Sequence, residues 1–540
     1  MSSEIAPING LARVEGEIHQ QTAPLSNLRA KRNFLLPVFR LPPETLATIF
    51  THGARDYYEG NSGGHFTPCT PTWVNVSYVC SHWRNIALTS ATLWAYHFNT
   101  SLRWTEELLL RSKQAPLKIS CICTHPLFAK NALWSGFLDR LLKHSERIQE
   151  LRLCLLPWLL PPKLLLRAPH LEKLEIKVCW RDDSVQCMVI AAGGDKPRLH
   201  TLKLINCTLP WYSLNLSGLK TLSLRGVRSP SQPNMAELLT ILSGMRDLTV
   251  LHLEDVLPSA RGFLSSGGLG ISPKFDLPHL TRLAIAAPLS TVVALLSYAN
   301  IPLKAHLSLE LQSERGCSVD DYHSILSFIT QRFNVSEGRS SSDLAFRSLI
   351  IDSSFAPRLT FSTLERDCEP RSGRTLDDWS HDIPLEVILG LSKPEETEEM
   401  EETKDLTEHD IHRIMSDICC SLPLTNVQSL HVIQPEFASV IWTKILGCLD
   451  GLRYMKLSDA CMPDLSILSS TAAENLNGQR SRDHGATPGH IFVPALEELE
   501  LYRIMFIPEC GMSEQALVDA LSTRKGLRDR LITIECEVHS

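Results

Sequence analysis

Leucines recur along the chain in the order Leu-x-x-Leu-x-Leu. One set is introduced by proline: Pro169 before Leu171, Leu174 and Ile176; Pro197 before Leu199, Leu202 and Leu204; Pro278 before Leu280, Leu283 and Ile285; Pro494 before Leu496, Leu499 and Leu501. Copies without the proline begin at Leu219, Leu248 and Leu452, and weaker ones at Ile148 and Val427. The closing Leu-x-Leu alternates with the period of a strand, so both side chains face one way, and the earlier leucine turns into the same core. One such unit cannot bury its own apolar face. Stacked units can, which predicts a curved solenoid whose strands line one side. Between the strands, apolar residues at helical spacing over 235–242, 290–298, 319–333, 411–422 and 437–449 predict helices. The closing stretch reads as a last helix over 513–523 and a strand over 527–538 that cap the array.

This α/β alternation resembles leucine-rich repeats. The period varies from about 20 to above 30 residues, and the asparagine that such repeats carry after the strand is mostly absent, so the array over 99–540 is irregular. The competing reading is a set of amphipathic strands in an α/β domain that is not a solenoid. Polar interruptions fall near 259–273, 336–343, 363–382, 393–406 and 473–490. The one that includes Glu395, Glu396, Glu398, Glu399, Glu401 and Glu402 stays extended by self-repulsion; it reads as a solvated linker before it reads as a contact for a basic partner.

Ahead of the repeats the pattern changes. Residues 1–37 mix Glu4, Glu15 and Glu17 with Pro7 and Pro24 and read as a flexible tail; a basic start followed by a compact apolar stretch is missing, so no signal peptide is expected. Over 38–98 a short helix is predicted from Leu41, with proline in its first turn and Leu46, Ile49 and Phe50 on one face. It is expected to stop there and give way to a polar loop from His52 to about Pro71. A second helical stripe follows in Val76, Val79, Cys80, Trp83, Ile86 and Ala87, and Leu93-Trp94 closes the segment.

The Leu41-Pro42 start, the Leu46-x-x-Ile49-Phe50 helix, Val79-Cys80-x-x-Trp83-Arg84-x-Ile86-Ala87 and the final Leu93-Trp94 resemble the F-box, in the version common in mushroom-forming fungi, where an insert separates the two helices. The resemblance implies an α/β protein made of a small helical F-box followed by the repeat array. It also implies a docking role: F-box helices bind the Skp adaptor and, through it, a cullin-RING ubiquitin ligase. By position, the adaptor-binding candidates are Leu41, Pro42, Leu46, Ile49, Val79 and Trp83. Phe50, Val79 and Ile86 are read equally well as internal core. A substrate-recognition subunit without catalytic residues is the function implied, acting by holding a protein substrate near a ubiquitin-conjugating enzyme. The alternative is a non-ligase scaffold in which these helices cap the solenoid.

Composition agrees with a soluble protein of the cytoplasm or nucleus. Hydrophobic residues make up 44% and charged residues 21%, and no apolar run is long enough to cross a membrane. The net charge of -7 and the lack of a dense basic run argue against nucleic acid as a partner. Sixteen scattered cysteines read as reduced core thiols. Gly60-Asn61-Ser62-Gly63-Gly64 matches a hydrolase pattern but lies in the expected polar loop, without the strand and helix that such a nucleophile needs. Cys121/Cys123 and Cys419/Cys420 lack histidines at zinc-ligand spacing. No metal or cofactor is expected.

Overall fold

The Leu-x-Leu pairs form strands, and their leucines line up in columns. The computed structural model describes residues 5–60, 71–98, 102–124, 133–159, 163–179, 188–192, 198–209, 211, 218–227, 233–258, 260, 275–313, 319–333, 346–352, 357–363, 385–390, 407–434, 439–461, 495–505 and 532–535. Ser62, the acidic block, the segment over 513–523 and nearly all of the polar interruptions lie outside these residues. The fold is mixed α/β with mostly parallel strands, in two units: Met1–Leu219 with Val227–Ser231, and Lys220–Gly226 with Gln232–Ser540.

In the first unit, strands β1 (Tyr96–Phe98), β2 (Leu117–Cys123), β3 (Ile148–Leu155), β4 (Lys173–Val178) and β5 (Thr201–Ile205) pair in sequence order, all parallel. Leu151 stands opposite Leu174, which stands opposite Leu202; Leu153, Ile176 and Leu204 form the next column. All six are buried. A separate parallel pair joins Lys163–Arg167 to Met188–Ala192.

Helices α1 (Ile5–Phe34), α2 (Pro43–Gly60), α3 (Ser81–Thr89), α4 (Leu102–Ser112) and α5 (Leu133–Leu142) belong to the same unit. Three of the expectations above change here. The segment read as a flexible tail contains a helix of 30 residues, α1. The helix expected to end at Phe50 continues to Gly60, because Ala54 and Tyr58 extend the Leu46–Phe50 face at four-residue steps and are buried there. Thr51 is accommodated by donating its hydroxyl to the Ala47 carbonyl at 2.8 Å. The second stripe is two elements: a 3-10 helix over Thr72–Tyr78, then α3. Cys80 separates them with an extended backbone, and its sulfur caps α3 by accepting from the Trp83 amide at 3.4 Å.

The second unit has strands β6 (Thr221–Arg225), β7 (Val250–Glu254), β8 (Arg282–Pro288), β9 (His306–Gln312), β10 (Ser348–Asp352), β11 (Arg358–Ser362), β12 (Leu385–Gly390), β13 (Ser429–Ile433), β14 (Tyr454–Cys461), β15 (Glu498–Met505) and β16 (Ile532–Glu535). Their order is β6-β7-β8-β9-β12-β11-β10-β13-β14-β15-β16. One column runs Leu222, Leu251, Leu283, Leu307, Leu385, and another runs Leu430, Met455, Leu499, Ile532. The reversal at β10–β12 falls where the leucine unit is missing from the sequence. The span between Asp352 and Arg358 is too short for a parallel crossover, so β11 pairs antiparallel with both neighbours.

Helices α6 (Met235–Ser243), α7 (Leu289–Tyr298), α8 (His323–Phe333), α9 (Glu408–Ser421) and α10 (Ser439–Leu446) stand close to the periodic segments expected to be helical. Two start with reciprocal caps, Asn234 with Glu237 and Thr407 with Asp410. The residue after a strand adopts a left-handed backbone at Asn206, Gly226, Asp255 and Gln434. In the second unit its amide then reaches the neighbouring strand, as from Gly226 to the Glu254 carbonyl at 2.8 Å and from Gln434 to that of Ser458 at 2.9 Å. The turn expected to need asparagine needs a conformation instead, which glycine, aspartate and even glutamine supply here.

Buried Arg332 ties α8 to the turn before β9. Its guanidinium donates to the carbonyls of Ile301 (3.2 Å), Pro302 (2.5 Å), Leu303 (3.0 Å) and Ala305 (2.9 Å), and burial lowers its pKa to about 10. Arg332→Ala is expected to cost about 3 kcal/mol by stranding these carbonyls. Thermal unfolding of the full chain reads this as a lower midpoint; an unchanged midpoint would show that the guanidinium does not hold the turn.

Candidate functional site

The N-terminal helices enclose a core of their own. Leu46, Phe50, Ala54 and Tyr58 of α2 meet Ile86 and Ala87 of α3, Trp73 and Val74 of the 3-10 helix, Leu93, Trp94 and Tyr96, and Leu108 of α4. Trp94 is held on three sides: its indole N–H donates to the Ala87 carbonyl at 2.6 Å, Trp73 meets it edge-on at 5.3 Å, and the Arg111 guanidinium lies 4.3 Å from its ring. Tyr58 donates its hydroxyl to the Ile119 carbonyl of β2 at 3.3 Å, and burial pushes its pKa up. Through Tyr58, Tyr96 and Leu108 the helical core continues past residue 98 and joins the first strands.

Against this core the candidate docking residues separate into two groups. Leu46 is only 1% exposed, so its side chain belongs to the interior and not to a contact surface; the face it shares with Phe50 points inward. Trp83 is half-buried with its ring 4.9 Å from that of Phe50, and Leu41 packs on the same cluster. Pro42 is exposed, with its carbonyl accepting from the Leu46 amide at 3.1 Å. Ile49 is 50% exposed and Val79 59%. Of the residues left open between core and contact, Phe50 and Ile86 are core and Val79 is not. Tyr78 is also largely exposed, and the sequence reading missed it. The break at Cys80 puts Tyr78 and Val79 outside the register of α3, whereas a single continuous helix would have carried Val79 inward with Trp83. The capping cysteine itself was the available signal.

The strand residues that alternate with the leucines form ion-pair ladders. In the first unit, Glu175 of β4 lies 3.5 Å from Arg152 of β3, 3.0 Å from Lys173 and 3.4 Å from Lys203 of β5, while Lys118 of β2 pairs with Glu150. In the second, Glu254 pairs with Arg225 at 2.6 Å and His252 at 3.5 Å. Burial pushes the Glu254 carboxyl up, but His252 and Arg225 outweigh it and hold the carboxyl below its ordinary value. Glu310 goes the other way, raised first by burial and then by Glu254 and Asp255. Lys203 in the first unit, and Arg225, His252 and Glu254 in the second, are thus each paired with a charged neighbour.

Groups able to carry chemistry are dispersed. Cys121 and Cys123 are buried in β2, where burial pushes the Cys121 thiol up. The Cys420 and Cys448 sulfurs lie 3.0 Å apart, and that hydrogen bond brings Cys420 down to about 7. Among the described residues no group of His, Cys, Asp and Glu is arranged to hold a metal ion, and no helix is long and apolar enough to cross a membrane. Comparison with models of known protein families gives no match, and no curated protein matches the sequence significantly.

Burial predicts unequal stability effects within α2. Leu46→Ala should cost about 2–5 kcal/mol, whereas Ile49→Ala should stay within about 0.5 kcal/mol. Equal shifts in the unfolding midpoints of the two variants would show that the assignment of faces is wrong.

His97 of β1 is fully buried, and neither ring nitrogen has a hydrogen-bond partner among the described residues. Burial, with the Arg147 and His144 charges nearby, lowers its pKa from 6.5 to about 3. The unfolded chain then binds the extra proton first, so this contribution to stability is whole above pH 6.5 and is lost as pH falls toward 3. His97→Leu should flatten the acid side of a plot of unfolding midpoint against pH and should not lower the midpoint at pH above neutral. An acid limb that keeps its slope would rule the residue out as its source.

Proposed function

We propose that the chain is an F-box-type substrate receptor: the N-terminal helices bind a Skp adaptor of a cullin-RING ubiquitin ligase, and an irregular leucine-rich-repeat-like array presents its polar strand face to a protein substrate. The observation that carries this reading is the apolar surface left over once the helical core is complete. Ile49 and Val79 are at least half exposed, Pro42 is exposed, and Leu41 and Trp83 are only part-covered by the core they pack on. Side chains of this kind gain by being covered by a partner. On the strand face, charged groups fixed in position by their neighbours favour recognition of a complementary polar surface over binding of a small apolar ligand. Catalysis is not part of the role; the receptor acts by proximity.

A second reading has its own observation. Tyr58, Tyr96 and Leu108 make the helical core continuous with β1 and β2, as expected of helices that cap the end of a stacked array in a non-ligase scaffold.

Co-purification of the full chain with a Skp adaptor and cullin separates the two. On the receptor reading the adaptor is recovered, and Ile49→Asp with Val79→Asp reduces its recovery about tenfold or more at an unchanged unfolding midpoint. Failure of the folded wild-type chain to retain the adaptor, or retention that ignores both substitutions, would favour the capping scaffold.

A further inference from the structure

Helix α1 presents an apolar seam that is left exposed among the described residues of its own unit. Leu11, Val14, Ile18, Leu25 and Leu28 are each about half exposed or more, and with Gln21 they recur at alternating steps of three and four. A seam of period 3.5 is the surface that a second helix covers, knob into hole. Charge selects which helix. Glu15 and Glu17 flank the seam in its N-terminal half, and Arg29 and Lys31 flank it in its C-terminal half. A parallel, in-register pair of α1 helices sets Glu17 beside Thr22 and leaves these charges unmatched. An antiparallel pair with Ile18 facing Leu28 brings Glu15 to Arg29 and Glu17 to Lys31 on both sides of the two-fold axis.

We propose that α1 is a homodimer contact in which the helices of two copies of this chain run antiparallel, with Ile18 of each copy packed on Leu28 of the other. In this register Gln21 faces Leu25, with its amide reaching the rim, and Val14 is covered by the aliphatic stem of Arg32. Leu11 meets Leu35, which is exposed just past the end of α1. Pro24, the proline inside the helix, falls beside the axis, so its missing amide donor lies at the same level in both copies and leaves the two halves of the seam equivalent. The Arg13–Glu17 pair within α1 is exposed, at 3.3 Å, and is free to rearrange when Lys31 arrives. The proposal does not rest on adaptor binding, since α1 lies ahead of the docking candidates.

Sedimentation of the purified full chain over a concentration series into the tens of micromolar tests it. A dimer is expected, and Ile18→Asp with Leu28→Asp should give a folded monomer, with the wild-type unfolding midpoint measured at concentrations where the wild type is itself monomeric, since both side chains are exposed. Reversing one half, Glu15→Arg with Glu17→Lys, should weaken dimerisation about tenfold or more at low salt. Adding Arg29→Glu and Lys31→Glu to that variant should restore it. A wild-type chain that stays monomeric throughout, or a dimer that is unaffected by the charge reversal or not restored by the full swap, overturns the proposal.

Discussion

A Leu-x-x-Leu-x-Leu unit has one apolar face and no second layer of its own, so it is stable only against another unit in the same register. Most other features of both units follow from that requirement. A slip of one residue would turn Leu174 and Ile176 of β4 away from Leu151 and Leu153 of β3 and expose the whole column, so the register is strongly specified. The left-handed residues after β5, β6, β7 and β13 release the chain from its strand at the same point in each unit. Where the leucine unit is interrupted, the constraint relaxes, and the chain accommodates the reversed β10–β12 segment without losing the column that passes from Leu307 to Leu385.

The helical module solves a different problem. Its core is closed by aromatic residues: Trp73 and Trp94 meet edge to face, Phe50 lies against Trp83, and Tyr58 lies against Tyr96. Large planar rings bury much surface with few rotatable bonds, which lets a small module be ordered. Ile49 and Val79 lie outside this core, 50% and 59% exposed. Ile49 lies off the Leu46–Phe50–Ala54–Tyr58 face of α2, and the break at Cys80 keeps Val79 out of the register of α3.

Much of this was legible in the sequence because the signals are periodic. The strands at Leu174, Leu202, Leu222, Leu251, Leu283, Leu430, Met455 and Leu499 follow from spacing alone, and the helical segments between them fall close to where their apolar steps put them. What escaped depends on one residue or on tertiary contact. The second half of α2 was hidden by Thr51-His52-Gly53, polar residues whose positions do not interrupt the face carried by Ala54 and Tyr58. The ordering of α1 was obscured by Pro7 and Pro24, although its seam of period 3.5 is present in the same residues. Leu46 and Ile49 both read as apolar helix positions, and only the packing of Phe50 on Trp83 decides which of the two is interior.

The polar strand face shows how the hidden core governs the visible chemistry. Parallel strands lie about 4.8 Å apart, so each charged side chain has fixed neighbours and cannot choose a solvent-separated position freely. Glu254 and Glu310 are both partly buried, which raises both carboxyls, with opposite results: His252 and Arg225 outweigh burial at the first and hold it as a carboxylate, while at the second Glu254 and Asp255 add to burial and it holds its proton more tightly. The difference comes from which cations the adjacent strands supply, and that is set by register, hence by the leucines on the opposite side. The same glutamate is thus a paired carboxylate or a poorly compensated one according to columns it never touches.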